Sequence, residues 1–109
     1  MTTTVDTGRA LTGTTELSSD LERQRFAEIS RALSDPKRLC VLEILASGEH
    51  SVGELSREAS CHVPNMSQHL AVLRSAGLVT SRREGSNVFY RLTDPRILEA
   101  YRLIQSVAR

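Results

Sequence analysis

One stretch of the sequence, residues 64–92, constrains the fold more than any other. It opens with Pro64-Asn65-Met66-Ser67-Gln68-His69-Leu70-Ala71-Val72-Leu73-Arg74-Ser75, in which Met66, Leu70 and Leu73 fall at the i, i+4, i+7 spacing of one helix face. Pro64 suits the first turn of that helix and Gly77 ends it. Leu78 to Arg83 and Val88 to Leu92 then read as two short strands rich in Val, Thr, Phe and Tyr. Glu84-Gly85-Ser86-Asn87 joins them, where Gly and Asn tolerate positive φ. At about 100° per residue, Gln68 lies nearly opposite the apolar stripe, with Asn65 and Ser67 on the flanks and His69 nearer the core side. The helix therefore offers a short, polar and nearly uncharged outer face, with a hairpin directly behind it.

The rest of the chain supplies what this segment must pack against. Residues 1–17 carry seven threonines and few large apolar groups, a composition that does not offset the entropy of ordering, and they read as a flexible tail. Residues 18–109 form the folded domain. Ser19 with Glu22 makes a capping box for a first helix whose stripe is Phe26, Ile29 and Leu33. Asp35-Pro36 starts a second helix, apolar over much of its circumference through Leu39, Val41, Leu42, Ile44 and Leu45, and running to about Ser47. Ser51 with Glu54 caps a short third helix, and Ser60 to Val63 form the turn into the segment described above. After the hairpin, Asp94-Pro95 starts a last helix with Ile97, Tyr101, Ile104 and Ala108 on one stripe. The expected fold is mainly α with a small β-hairpin, in the order α-α-α-α-β-β-α of a winged helix-turn-helix.

Charge and composition narrow the function. A formal net charge of +1 on 109 residues excludes binding to nucleic acid by bulk charge. Between residues 64 and 92, however, four arginines (Arg74, Arg82, Arg83, Arg91) face the single acid Glu84, a local net charge of +3. A small polar helix face suits the major groove, where Gln68 can bond N6 and N7 of an adenine and Asn65 and Ser67 can reach other base edges, with His69, nearer the core side, a further candidate DNA contact. The four arginines would then meet phosphates. No Gly-rich phosphate loop, Gly-x-Ser-x-Gly or His-Glu-x-x-His is present, and His50, His62 and His69 have no evident triad partners, so nothing asks for an enzyme. Two cysteines and no long apolar run argue for a reduced, cytoplasmic protein with no membrane span.

Several separated motifs carry a resemblance. Ala32-Leu33-Ser34-Asp35-Pro36-Lys37-Arg38-Leu39, Ser51-Val52-Gly53-Glu54-Leu55, Ser67 to Val79, Arg82-Arg83-Glu84-Gly85 and Phe89-Tyr90-Arg91-Leu92 resemble, in that order, the ArsR/SmtB family of bacterial winged-helix repressors. The resemblance spans roughly residues 20–107. It implies a homodimer built on the first and last helices, here through Phe26, Ile29, Leu33, Ile97, Tyr101 and Ile104. It also implies binding to a partly palindromic double-stranded operator, and release by an inducer.

The inducer is not legible. The resemblance places soft-metal ligands of the family at Cys-x-Cys, but Ser51 and Gly53 stand there. The last helix holds Asp94 and Glu99 and no His for a zinc-type site, and no Cys for the thiol pair of the family's sulfide and redox sensors. In those sensors the partner thiol lies near Glu43, so Cys40 falls short of it. No cofactor is called for, and a metal ion stays among the candidate inducers with reactive sulfur, an oxidant or another small ligand, although the family's usual metal-ligand positions are not filled. Cys61, in the turn before the polar helix and next to His62, is the candidate sensor, with Cys40 a further participant, although one Cys and one His are too few ligands for a metal. A winged-helix module that binds a protein and no DNA is the alternative, against which the local charge argues.

Overall fold

The computed structural model describes residues 16–109. The segment read as a tail lies outside them except for Glu16 and an exposed Leu17. Five helices and three strands follow: α1 (Asp20–Ala32), α2 (Pro36–Leu45), β1 (His50–Ser51), α3 (Val52–Glu58), α4 (Val63–Ser75), β2 (Val79–Glu84), β3 (Asn87–Leu92) and α5 (Arg96–Ala108). The local signals act as the sequence suggests. Ser19 Oγ accepts the Glu22 amide at 3.1 Å while Glu22 Oε1 accepts the Ser19 amide at 2.8 Å, and Ser51 with Glu54 repeats this reciprocal cap at 3.1 and 2.7 Å. Asp35 caps α2 by accepting the Arg38 amide at 3.0 Å, with Pro36 in the first turn. Before α5, Asp94 Oδ1 accepts the Arg96 amide at 2.9 Å.

One element was not foreseen. The hairpin is part of a three-stranded antiparallel sheet of order β1-β3-β2, because His50 and Ser51 pair with Tyr90 and Phe89. Two residues carry no periodicity of their own, so this strand exists only through its distant partner. Gly85, at φ +63°, turns β2 into β3, and Glu84 pairs with Asn87 directly across the turn.

The core lies between α2, α3, α4 and the base of the sheet. Val41, Leu42, Leu55, Met66, Leu70 and Leu73 are fully inaccessible, and Leu45, Leu78 and Val79 are nearly so. Each such side chain contributes about 1.5–3 kcal/mol relative to exposure. The terminal helices are different. α1 joins the core at its C-terminal end through Ala32, Leu33 and Ile29, and α5 through Ile97. No residue of α5 is buried, and Phe26, Leu103, Ile104 and Val107 are largely exposed.

Capping also sets an acid limit on stability. The Arg38 amide, more than any other group, holds the Asp35 carboxyl below the ordinary carboxylate range. A carboxylate with a lowered folded pKa contributes its full stability above the unfolded value and loses it as pH falls through the folded one. Asp35→Ala is expected to cost about 0.5–2 kcal/mol near neutral pH. Asp35→Asn, which keeps a capping oxygen but does not titrate, should show a shallower loss of urea midpoint than the parent as pH falls below about 4, the unfolded value. Equal acid slopes for parent and Asp35→Asn would contradict the assignment.

Candidate nucleic-acid interface

The turn from α3 to α4 is fixed by backbone and by one long side chain. Cys61 N donates to the Ser56 carbonyl at 2.9 Å and Ser60 N to the Arg57 carbonyl at 3.3 Å, closing α3 with Ser60 in the left-handed region at φ +51°. Lys37 Nζ, from the start of α2, donates to the Ala59 carbonyl. The end of α3 is thereby tied to the helix that forms the centre of the core. At the other end of α4, Gly77 at φ +79° lets Leu78 N reach the Leu73 carbonyl and Gly77 N the Arg74 carbonyl, both at 2.9 Å. Leu78 then enters the core and points the chain directly into β2.

Between these stops α4 divides as its sequence requires. Met66, Leu70 and Leu73 face inward, and Pro64, Asn65, Ser67, Gln68, Ala71, Arg74 and Ser75 are exposed. Asn65, Gln68 and His69 line one shallow crevice together with Lys37, Arg38, Cys61 and His62. Three of the four expected base-reading residues, Asn65, Ser67 and Gln68, are thus free to approach a partner. His69 is half-buried, with its Nδ1 3.4 Å from Arg38 Nη1 and 3.8 Å from Asp35 Oδ2.

The wing separates its arginines. Cross-strand pairing places Thr80, Arg82, Phe89 and Arg91 on one face and Val79, Ser81, Arg83, Val88, Tyr90 and Leu92 on the other. Arg82 is engaged: its Nε and Nη2 donate to the Glu49 carboxylate at 2.9 and 2.8 Å, Glu84 lies 3.5 Å away, and its guanidinium stacks 4.7 Å over Phe89. Arg82 holds the Glu49 carboxyl well below the ordinary carboxylate range. The site expected to be a free phosphate contact is thus a brace between the wing and the loop before β1. Arg74, Arg83 and Arg91 are exposed and form no ion pair among the described residues.

The two thiols are free and half-buried. Cys40 packs against the core from α2, while Cys61, whose thiol donates to the His62 carbonyl at 3.6 Å, lines the crevice beside α4. Among the described residues no three His, Cys, Asp or Glu side chains are placed to hold a metal ion. Nor is any described helix long and apolar enough to cross a membrane.

Three residues of this surface escaped the sequence reading: Glu49, Lys37 and Arg38. Each acts across more than twenty positions of chain, on Arg82, Ala59 and His69 respectively, and local spacing carries no signal for such pairs.

Known proteins share this arrangement. The family described as "Bacterial regulatory protein, arsR family" matches residues 35–81, from the cap of α2 into β2. A biofilm growth-associated repressor of Agrobacterium fabrum is 43% identical over 81 residues, 74% of this chain and 67% of that protein. A repressor of the same name in Xylella fastidiosa is 36% identical over 90 residues, 81% of this chain and 79% of that one. The homodimeric winged helix-turn-helix DNA-binding domain of a possible ArsR-family transcriptional regulator from Mycobacterium bovis, solved by NMR in solution, aligns with a TM-score of 0.74 at 32% identity. That alignment covers 84% of this chain and 87% of the neighbour. With the helix-turn-helix, the wing and these relatives in agreement, the chain belongs to the ArsR family of bacterial regulatory proteins, DNA-binding transcription regulators rather than enzymes.

Proposed function

We propose that the protein is a cytoplasmic homodimeric repressor that reads a partly palindromic operator with α4 and grips the flanking phosphates with Arg74, Arg83 and Arg91. The observation that carries this reading is the exposed polar face of Asn65, Ser67 and Gln68, held by a buried apolar face on the same helix and accompanied by three arginines that form no ion pair among the described residues. A groove-entering helix needs small uncharged groups outward, and phosphate contacts need unspent positive charge. The dimer is supported by the uncovered apolar residues of α1 and α5, the ends at which a second copy would add the core that a small domain lacks. Phe26 and Ile104 are the best exposed of the six residues expected there, while Ile29, Leu33, Ile97 and Tyr101 are shared with the subunit's own packing.

Release from the operator would follow an inducer that acts on this unit. Of the two thiols, Cys61 alone lines the crevice beside α4, so its oxidation or capture by a soft metal would bear directly on docking, with His62 adjacent. Cys40 is packed away from that crevice.

Selection of bound sequences from random DNA tests the function, and two variants divide the labour. Gln68→Ala is expected to relax base preference at one position per half-site, worth about 1–3 kcal/mol. Arg83→Ala should weaken binding to all sequences alike and reduce the slope of log affinity against log salt by about 0.9 per half-site. Equal losses on every sequence for both variants would contradict the roles. A purified dimer with no salt-sensitive DNA binding would point instead to a protein-interaction module.

A further inference from the structure

The ring of His69 lies between α4 and the start of α2, and its Nδ1 meets two groups. Arg38 Nη1 is 3.4 Å away and Asp35 Oδ2 is 3.8 Å away. A guanidinium carries donors and no acceptor, so a ring nitrogen that hydrogen-bonds to it does so as the acceptor. Asp35 Oδ2 is beyond hydrogen-bonding distance of the ring and already accepts the Arg38 amide at 3.0 Å. Arg38 is itself aimed by the end of α1: its Nε donates to the Ala32 carbonyl at 2.7 Å and its Nη2 to the Arg31 carbonyl at 3.2 Å. With two nitrogens anchored on one planar group, the direction of the third is set.

We propose that Arg38 holds neutral His69 in the tautomer that carries its proton on Nε2, so that α4 offers DNA a hydrogen-bond donor beside Gln68. Arg38 is the positioning residue and His69 the reader; the inference rests on the DNA-reading role proposed above. The His69 side chain is 22% exposed and lines the same crevice as Asn65 and Gln68, beside the reading face. A fixed donor there selects acceptors in the major groove: N7 of either purine, O6 of guanine or O4 of thymine. It opposes the amino group of cytosine, which would leave two donors facing one another. The specificity of α4 would thus come partly from a residue on α2 that touches no base.

The test uses the full-length protein. Ring ¹⁵N chemical shifts of His69, recorded at about pH 8 where an ordinary imidazole is neutral, should show Nδ1 bare and Nε2 protonated. Arg38→Gln should mix the two tautomers, and Arg38→Lys, which keeps a donor, should hold the parent state. In parallel, selection from random DNA should give one base position per half-site at which cytosine is disfavoured at least about fivefold. That discrimination should vanish in His69→Gln, whose amide can turn either a donor or an acceptor outward, and in Arg38→Gln. A proton on Nδ1 of the parent, or a selected site unchanged in His69→Gln, overturns the inference while leaving DNA reading intact. A parent that selects no site at all overturns both. Should Arg38→Gln fail to fold, the parent shifts and the His69→Gln selection still decide.

Discussion

Ile104→Asp is expected to convert the proposed dimer to monomers at micromolar concentration and to lower operator affinity by about 10²–10⁴-fold, the range lost when two linked half-site contacts become independent. The argument starts from α5, where Leu103, Ile104 and Val107 are 69%, 63% and 81% exposed and no residue is buried. An amphipathic helix that leaves its apolar side uncovered needs a second surface. Phe26 of α1, 64% exposed, extends the same demand to the other end of the chain. By two-fold symmetry the substitution acts twice, removing about 1.5–3 kcal/mol of burial from each subunit and setting a desolvated carboxylate against the partner's apolar surface. Because Ile104 touches little of its own subunit, the helix content of the variant should match the parent. Sedimentation equilibrium and DNA titration check it. A variant that stays dimeric, or a monomer that binds the full operator as tightly as the parent, would sink the proposed interface.

Leu70→Ala should be among the most damaging conservative truncations within the subunit. Leu70 is fully inaccessible on the inner face of α4 and meets the core built by α2 and α3. Removing three buried carbons forfeits their transfer free energy and leaves a cavity, together about 2–5 kcal/mol. Against a total of about 5–15 kcal/mol for a native domain, that is a large share. Val72→Ala, two residues along the same helix but 41% exposed, should change stability by no more than about 0.5 kcal/mol. Urea unfolding of the three proteins at one protein concentration gives the comparison. A Leu70→Ala loss below about 1 kcal/mol would mean that the core collapses onto the space, contrary to the close packing proposed.

Much of this fold was legible because its signals are local. Ser19 with Glu22, Asp35 with Pro36 and Ser51 with Glu54 are caps closed within four residues, and each is formed. The stripe Met66, Leu70, Leu73 and the stop at Gly77 are equally local, and they were enough to place the polar face of α4. The path of α2 was overrun by two residues, ending at Leu45 rather than Ser47, since the last turn before Gly48 leaves the helix. What escaped was non-local. β1 exists only by pairing with Tyr90 and Phe89, some forty residues on, and Glu49 reaches Arg82 only because that strand brings the preceding loop to the wing. The count of four free arginines therefore included one that is spent on a carboxylate, a contact no window of sequence contains. For the candidate site the residue types on α4 were evident, whereas the control of His69 by Arg38 required the meeting of α1, α2 and α4.

The short strand β1 has a mechanical consequence. Ser51 pairs with Phe89 of the wing through its backbone and caps α3 through its hydroxyl, so a single residue belongs to both the sheet and the helix-turn-helix. The wing cannot swing about its base without unpairing that strand or uncapping α3. The helix-turn-helix and the wing are therefore coupled through Ser51. A signal that acts away from the crevice beside α4 then has one economical route, which is to alter the span between the two winged units of a dimer so that they no longer match the spacing of successive major grooves.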